Sequence, residues 1–232
     1  MPVFDRFTQR LPAPNQLLTP LHKRLRDWIV GVVATTEDFG IDYDAPVGDA
    51  GLFGPDSVTW KIHGDFPGMM SGGIAALMLQ TLHPRALAGV WDHSNFRDDP
   101  LGRLRRTTMF VAATTYAPTA DAERIIELVD RIHDRVRGTT PEGERYSAHD
   151  PDLLTWVHCT EMASFLDGYM RYRRPDLSVA VQDRYFDETR RIAEALGAQD
   201  VPASRAEMDD YFAAMQPRLR FDERSRATLA VL

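Results

Sequence analysis

Apolar residues recur along most of this chain at the three-to-four-residue spacing of buried helix faces. No run alternates apolar and polar residues for long enough to make a sheet. Residues 1–18 read as an irregular arm interrupted by Pro12 and Pro14. Thr19-Pro20 then caps a helix to about Ala34, with Leu21, Leu25, Trp28, Ile29 and Val32 on one stripe. A turn-rich stretch over 36–56 leads to a short helix through Val58, Trp60 and Ile62, capped by Asp56 or Ser57. The most apolar helix runs from about Met69 to His83 and continues or kinks beyond Pro84. Residues 92–101 form a loop, and a helix follows from about Leu101 to Tyr116. The next carries Ile125, Ile126, Val129 and Val136 and stops at Gly138. After a polar loop over 139–149, Asp150-Pro151 opens a strong helix to about Tyr172. Helices over Ser178–Leu196, stopped by Gly197, over Arg205–Met215, and from Arg220 complete the pattern. The expected fold is all-α: one globular domain of about eight helices over 19–232, with no linker dividing it.

Length and composition agree. The 232 residues are 44% hydrophobic and 26% charged, enough to bury roughly 70–75% of the unfolded surface and to enclose a ligand. Cys159 is the only cysteine, which excludes a disulfide scaffold, Cys-rich zinc modules, iron–sulfur clusters and c-type haem attachment. The balance of 27 basic against 34 acidic residues gives a charge of −7, a poor basis for nucleic-acid binding. The apolar window Gly68–Trp91 is interrupted by Gln80, His83, Pro84 and Arg85, so it reads as a core helix and not a transmembrane span. No secretory h-region is present, and a cytoplasmic, soluble protein is expected.

Phosphate loops, nucleophile elbows, His-Glu-x-x-His and paired Glu-x-x-His motifs are all absent. What remains is a few polar residues set in apolar helices. His158 lies mid-helix on a face with Leu154, Glu161, Met162, Phe165 and Tyr169. Such an imidazole is either a core residue or an axial haem ligand. Arg103, Arg106 and Thr107 share a face at i, i+3, i+4, and the next turns are apolar. Buried guanidinium groups need anionic partners, which haem propionates would supply bidentately; the alternative is a solvated first turn. His83 ends the most apolar helix, as a second ligand, a distal polar group or a residue facing the helix dipole.

An ordered set of segments carries more. Gly54-Pro55-Asp56-Ser57-Val58-Thr59-Trp60, Gly72-Gly73, Leu79-Gln80-x-x-His83-Pro84, Asp92-His93-Ser94 and Asp99-Pro100-x-Gly102-Arg103-Leu104-x-Arg106-Thr107 follow one another. His133-x-x-Val136-x-Gly138 and Asp150-Pro151-x-Leu153-Leu154-x-Trp156-Val157-His158 continue the series. Over about Gly54–Met215 the chain resembles the MpaB-type oxygenase family, which includes the latex-clearing rubber oxygenases. The resemblance implies an all-α oxidoreductase with a buried haem pocket, haem b bound on His158, and Arg103, Arg106 and Thr107 at the pocket. The rubber oxygenases carry Arg-x-x-Lys-Thr where this chain has Arg106 in place of the lysine. Arginine stays charged and cannot exchange a proton, so polyisoprene cleavage does not carry over. Family members also continue past the point where this chain stops, so either a short member or a missing C-terminal segment, with part of the pocket wall, is expected. The expected function is a haem-dependent oxygenase taking dioxygen and an apolar organic substrate, with His83 as a further pocket residue. The alternative is a non-catalytic helical binding protein for a lipid-like ligand or for haem.

Overall fold

The structure, a computed structural model, describes residues 39–43 and 46–231. The predicted arm over 1–18 and the helix over 19–34 lie outside the described residues. Among the described residues the chain forms nine α-helices and one two-stranded hairpin. In order these are α1 (Val58–His63), α2 (Phe66–Gln80), α3 (Pro84–His93), α4 (Pro100–Tyr116), α5 (Thr119–His133), β1 (Arg137–Thr139), β2 (Arg145–Ser147), α6 (Pro151–Tyr172), α7 (Val179–Ala195), α8 (Arg205–Met215) and α9 (Glu223–Leu229). No helix is long and apolar enough to cross a membrane among the described residues.

The helix starts follow from local chemistry. Ser57, Asp65, Asp99 and Ser204 each accept a hydrogen bond from a backbone N–H of the first turn, and proline occupies the first turn of α2, α3, α4 and α6. Gly197, at φ +98°, ends α7 as expected. Two boundaries differ from the sequence pattern. α2 stops at Gln80, and His83 becomes the N-cap residue of a separate helix, because Pro84 lacks the N–H that a continuing helix needs. α5 stops at His133, and Gly138 lies in β1, paired with Tyr146 across the hairpin. The stretch read as a polar loop thus contains a short antiparallel ribbon with Arg137 opposite Ser147.

α2 and α6 are the central pair and run antiparallel. Gly68 meets Tyr169 and Gly168, Gly72 meets Ser164 and Phe165, and Gln80 donates to Thr160. Glycine is required at the contact. A Cβ on Gly72 would stand 2.5 Å from the Ser164 carbonyl oxygen, and one on Gly168 would stand 2.4 Å from the Gly68 carbonyl oxygen. Removing those side chains brings two backbones to dispersion distance. Below this pair, Ile62, Cys159, Leu166, Tyr185, Phe186 and Met208 close a dry core.

The start of α6 is tied down by charge. Asp150 makes no capping bond to its own helix. Its carboxylate accepts from the Ser147 N–H (2.8 Å) and from Arg85. Arg85 also donates to Asp152 (2.9 Å) and to the Arg145 carbonyl (3.1 Å), joining α3, the hairpin and α6. α4 packs chiefly on α5, and a cavity opens between α4 and α6.

Candidate active site

The main cavity has a volume of about 600 Å³, within the usual range for small-molecule sites. His158, Arg103, Arg106 and Thr107 all line it. The i, i+3, i+4 spacing on α4 therefore does bring the two guanidinium groups and the hydroxyl to one wall. α6 carries His158 on the same cavity.

His158 is buried, and burial alone pulls its pKa down to about 4. It is a neutral imidazole at physiological pH, the form that binds metals. Among the described residues it has no hydrogen-bond partner. An unpartnered buried polar group is costly unless something from the cavity meets it.

Arg103 is set into the wall, its pKa lowered by burial, with Glu161 acting in the opposite direction. No carboxylate of the described residues reaches ion-pair distance of it. Arg106 lies at the exposed rim and donates to the Asn95 side-chain oxygen at 3.1 Å. The Thr107 hydroxyl donates to the Arg103 carbonyl at 3.2 Å, which leaves its oxygen as an acceptor toward the cavity.

His83 is placed elsewhere. Its ring is buried against Trp156, with centroids 5.9 Å apart, and it is not among the residues lining the cavity. Three other residues do line it: His133, which the sequence offers as a weaker candidate ligand, and His63 and Glu161, to which it gives no role. His133 on α5 is half-buried, its Nδ1 buried with no partner among the described residues, and its ring lies edge-on to His149. In the sequence it belongs to the His133-x-x-Val136-x-Gly138 segment and sits on a partly charged helix face, which makes it a weaker ligand candidate than His158. His63 also lines the cavity, but both ring nitrogens are engaged, Nδ1 with Thr115 (2.8 Å) and Nε2 with Tyr185 (2.9 Å). Burial, with His158 adding to it, holds its pKa at about 3. It ends a helix of six residues, too short for periodicity to signal its burial. Glu161, one turn beyond His158, has its carboxyl pushed up to about 7 by burial; the neighbouring Gln80 amide and Arg103 oppose that rise.

A second compartment of about 270 Å³ adjoins the first. His63, Gln80, Arg103, Thr107 and Glu161 border both. The rest of its wall is almost wholly apolar, including Met69, Met70, Leu104, Phe165 and Val231.

The donor set suits a haem. A neutral, unpartnered imidazole can take the iron, and cationic side chains on the same cavity can meet the propionates. No group of three or more His, Cys, Asp or Glu side chains able to hold a bare metal ion occurs among the described residues. An all-α fold with a histidine- and arginine-lined internal cavity has the room and the donors to take a small-molecule ligand or cofactor. The sequence profile of the family "ER-bound oxygenase mpaB/B'/Rubber oxygenase, catalytic domain" matches residues 60–232. The chain belongs to that oxygenase family. Among curated proteins and among solved structures, nothing matches it.

Proposed function

We propose that the protein is a haem-b-dependent oxygenase acting on an apolar organic substrate, with His158 as the axial ligand of the iron. One observation carries this reading: a neutral imidazole with no hydrogen-bond partner among the described residues, in the middle of α6, opening on a cavity that two arginines also line. Bound haem would supply the iron that activates dioxygen. The protein's own residues bind and orient. His158 holds the iron, Arg103 and Arg106 hold carboxylates by charge-assisted hydrogen bonds, and the Thr107 oxygen accepts a hydrogen bond from what lies in the cavity. The apolar wall excludes water and selects a hydrocarbon substrate.

A second ligand assignment has its own observation. His133 faces the same cavity with an unpartnered buried Nδ1, so it replaces His83 as the rival of His158.

Haem titration of the purified protein tests both. The native protein should develop a Soret band at one equivalent. His158→Ala should lose that band or shift it, while His83→Ala keeps it. If His133→Ala loses the band and His158→Ala retains it, the ligand is His133. No Soret band in any form overturns the haem reading. A Soret band without dioxygen consumption on any hydrocarbon substrate would favour a haem-binding protein instead.

A further inference from the structure

The hydrogen-bonding groups of the five polar residues that border both cavities can be accounted for one by one. Both ring nitrogens of His63 are engaged, with Thr115 and Tyr185. The Thr107 hydroxyl gives its proton to the Arg103 carbonyl. The Gln80 amide donates to the Thr160 hydroxyl at 3.3 Å and lies beside Glu161. Two groups are left over. The Arg103 guanidinium meets no acceptor among the described residues. The Glu161 carboxylate can accept about four hydrogen bonds, and the Gln80 amide is the one donor beside it among the described residues.

These two groups do not serve each other. Each feels the charge of the other, yet they stand beyond ion-pair distance. Both are half-buried and line both cavities. Charged groups left unmet in an apolar enclosure are costly, so a ligand that meets both gains most. The chemistry of the pair then selects that ligand. A guanidinium only donates and a carboxylate only accepts. A ketone or ether oxygen therefore satisfies Arg103 alone, and an ammonium satisfies Glu161 alone while Arg103 repels it. A hydroxyl does both: its oxygen accepts from Arg103 and its proton goes to Glu161.

We propose that Arg103 and Glu161 together bind a hydroxyl group, and that the substrate is an apolar alcohol held by that hydroxyl where the two cavities meet. That the alcohol is a substrate rests on the reading above; the hydroxyl site itself does not require haem. Arg103 carries five N–H donors, enough to meet a carboxylate in the main cavity as well.

The test is calorimetric titration of the full chain at pH 8, above the Glu161 pKa of about 7. The ligands share one ring and differ in the group it carries: cyclohexanol, cyclohexanone, methoxycyclohexane and cyclohexylamine. A six-carbon ring fits a cavity of about 150 Å³, so either compartment admits it. A ligand that displaces water without replacing its hydrogen bonds loses affinity. Cyclohexanol should therefore bind about tenfold more tightly than each of the other three, the worth of one hydrogen bond to a charged group. Glu161→Leu should bring cyclohexanol down to the level of methoxycyclohexane. Glu161→Gln, whose amide oxygen still accepts, should keep most of the preference. Arg103→Met should remove the advantage over cyclohexylamine. The comparison is between ligands within one variant, so a loss of stability does not imitate it. Four native affinities within about threefold of one another, no binding of cyclohexanol at millimolar concentration, or a preference that survives Glu161→Leu overturns the proposal. Each titration is run before and after haem loading. A Soret band without the alcohol preference sinks this proposal alone, and the preference without a Soret band sinks the haem reading alone.

Discussion

Toward α2, α6 presents Gly168, Ser164 and the backbone of Tyr169, and the two helices close until carbonyl oxygens lie where side chains would be. Toward α4 the same helix presents His158 and Glu161, and the walls stand apart around a cavity. The first side tolerates no added atom. The second holds a neutral imidazole, a raised carboxyl and an arginine without an ion-pair partner among the described residues. One side of α6 therefore stores the fold's stability, and the other tolerates unfavourable burial because a ligand can compensate it.

The sharpest way to break this contrast is on the tight side. Gly72→Ala forces a Cβ to within 2.5 Å of the Ser164 oxygen and 2.8 Å of the Phe165 Cα. Neither backbone atom can swing aside. We expect a loss of about 3 kcal/mol, at the upper end for overpacking, and a fall in Tm of roughly 6–12 °C by thermal circular dichroism. A Tm within 2 °C of the native value would show that α2 and α6 are less closely apposed than described.

On the open side, Arg103→Ala should leave the fold intact and weaken haem retention by about 1.5–3 kcal/mol, the worth of one hydrogen bond to a charged group. Titration of the apoprotein with haem measures it, and an unchanged affinity would exclude Arg103 as an anchor.

Acid–base behaviour offers a smaller and more selective effect. Burial raises the Glu161 pKa from 4.5 to about 7 in the folded chain. Its contribution to stability is complete below the unfolded value and lost as pH rises through 7. His158 and His63 go the other way, lowered to about 4 and about 3. Their contribution is complete above about 6.5 and lost as pH falls toward those values. Glu161→Gln removes only the loss on the alkaline side. The variant's Tm relative to the native protein should therefore rise between pH 5 and pH 8 and level off below pH 5. A difference independent of pH would mean that the carboxyl is hydrated.

The smallest expected change is Gly73→Ala, beside Gly72 but facing the compartment. Helix propensity should stabilise it by about 0.5–1 kcal/mol, opposite in sign to its neighbour. If both substitutions destabilise equally, the two sides are not distinct.

How far the sequence anticipates this depends on the reach of each signal. The Asp150-Pro151 helix-start signal acts within a few residues, and the helix it opens begins where expected. The i, i+3, i+4 set on α4 is equally local, and Arg103, Arg106 and Thr107 do share a wall. Where a partner is distant in sequence, the signal fades. Gly138 reads as a helix stop because nothing nearby shows that it will pair with Tyr146. His83 and His158 look alike along the chain, each an imidazole on an apolar helix. Only the turn at Pro84 sends His83 against Trp156 and away from the cavity. His133 and His63 face the cavity because of how α5 and α1 pack, which their own short patterns do not encode.

The attachment of α9 sets a timescale. Thr228 and Val231 close part of the apolar compartment. The segment that carries them is held to the α2–α3 corner by Ser225 donating to the Thr81 carbonyl (3.0 Å) and the Arg220 N–H donating to the Leu82 carbonyl (2.7 Å). Arg224 of this seven-residue helix adds a contact to the end of α3, over the Trp91 ring at 5.2 Å and 3.9 Å from the Asp92 carboxylate. So short a helix is still expected to open more often than the α2–α6 pair. The release of a ligand from this compartment is then expected to follow the opening frequency of α9 and not the hydrophobicity of the ligand. Residence times should be nearly the same for ligands whose affinities differ widely, and Ser225→Ala should shorten all of them by a common factor.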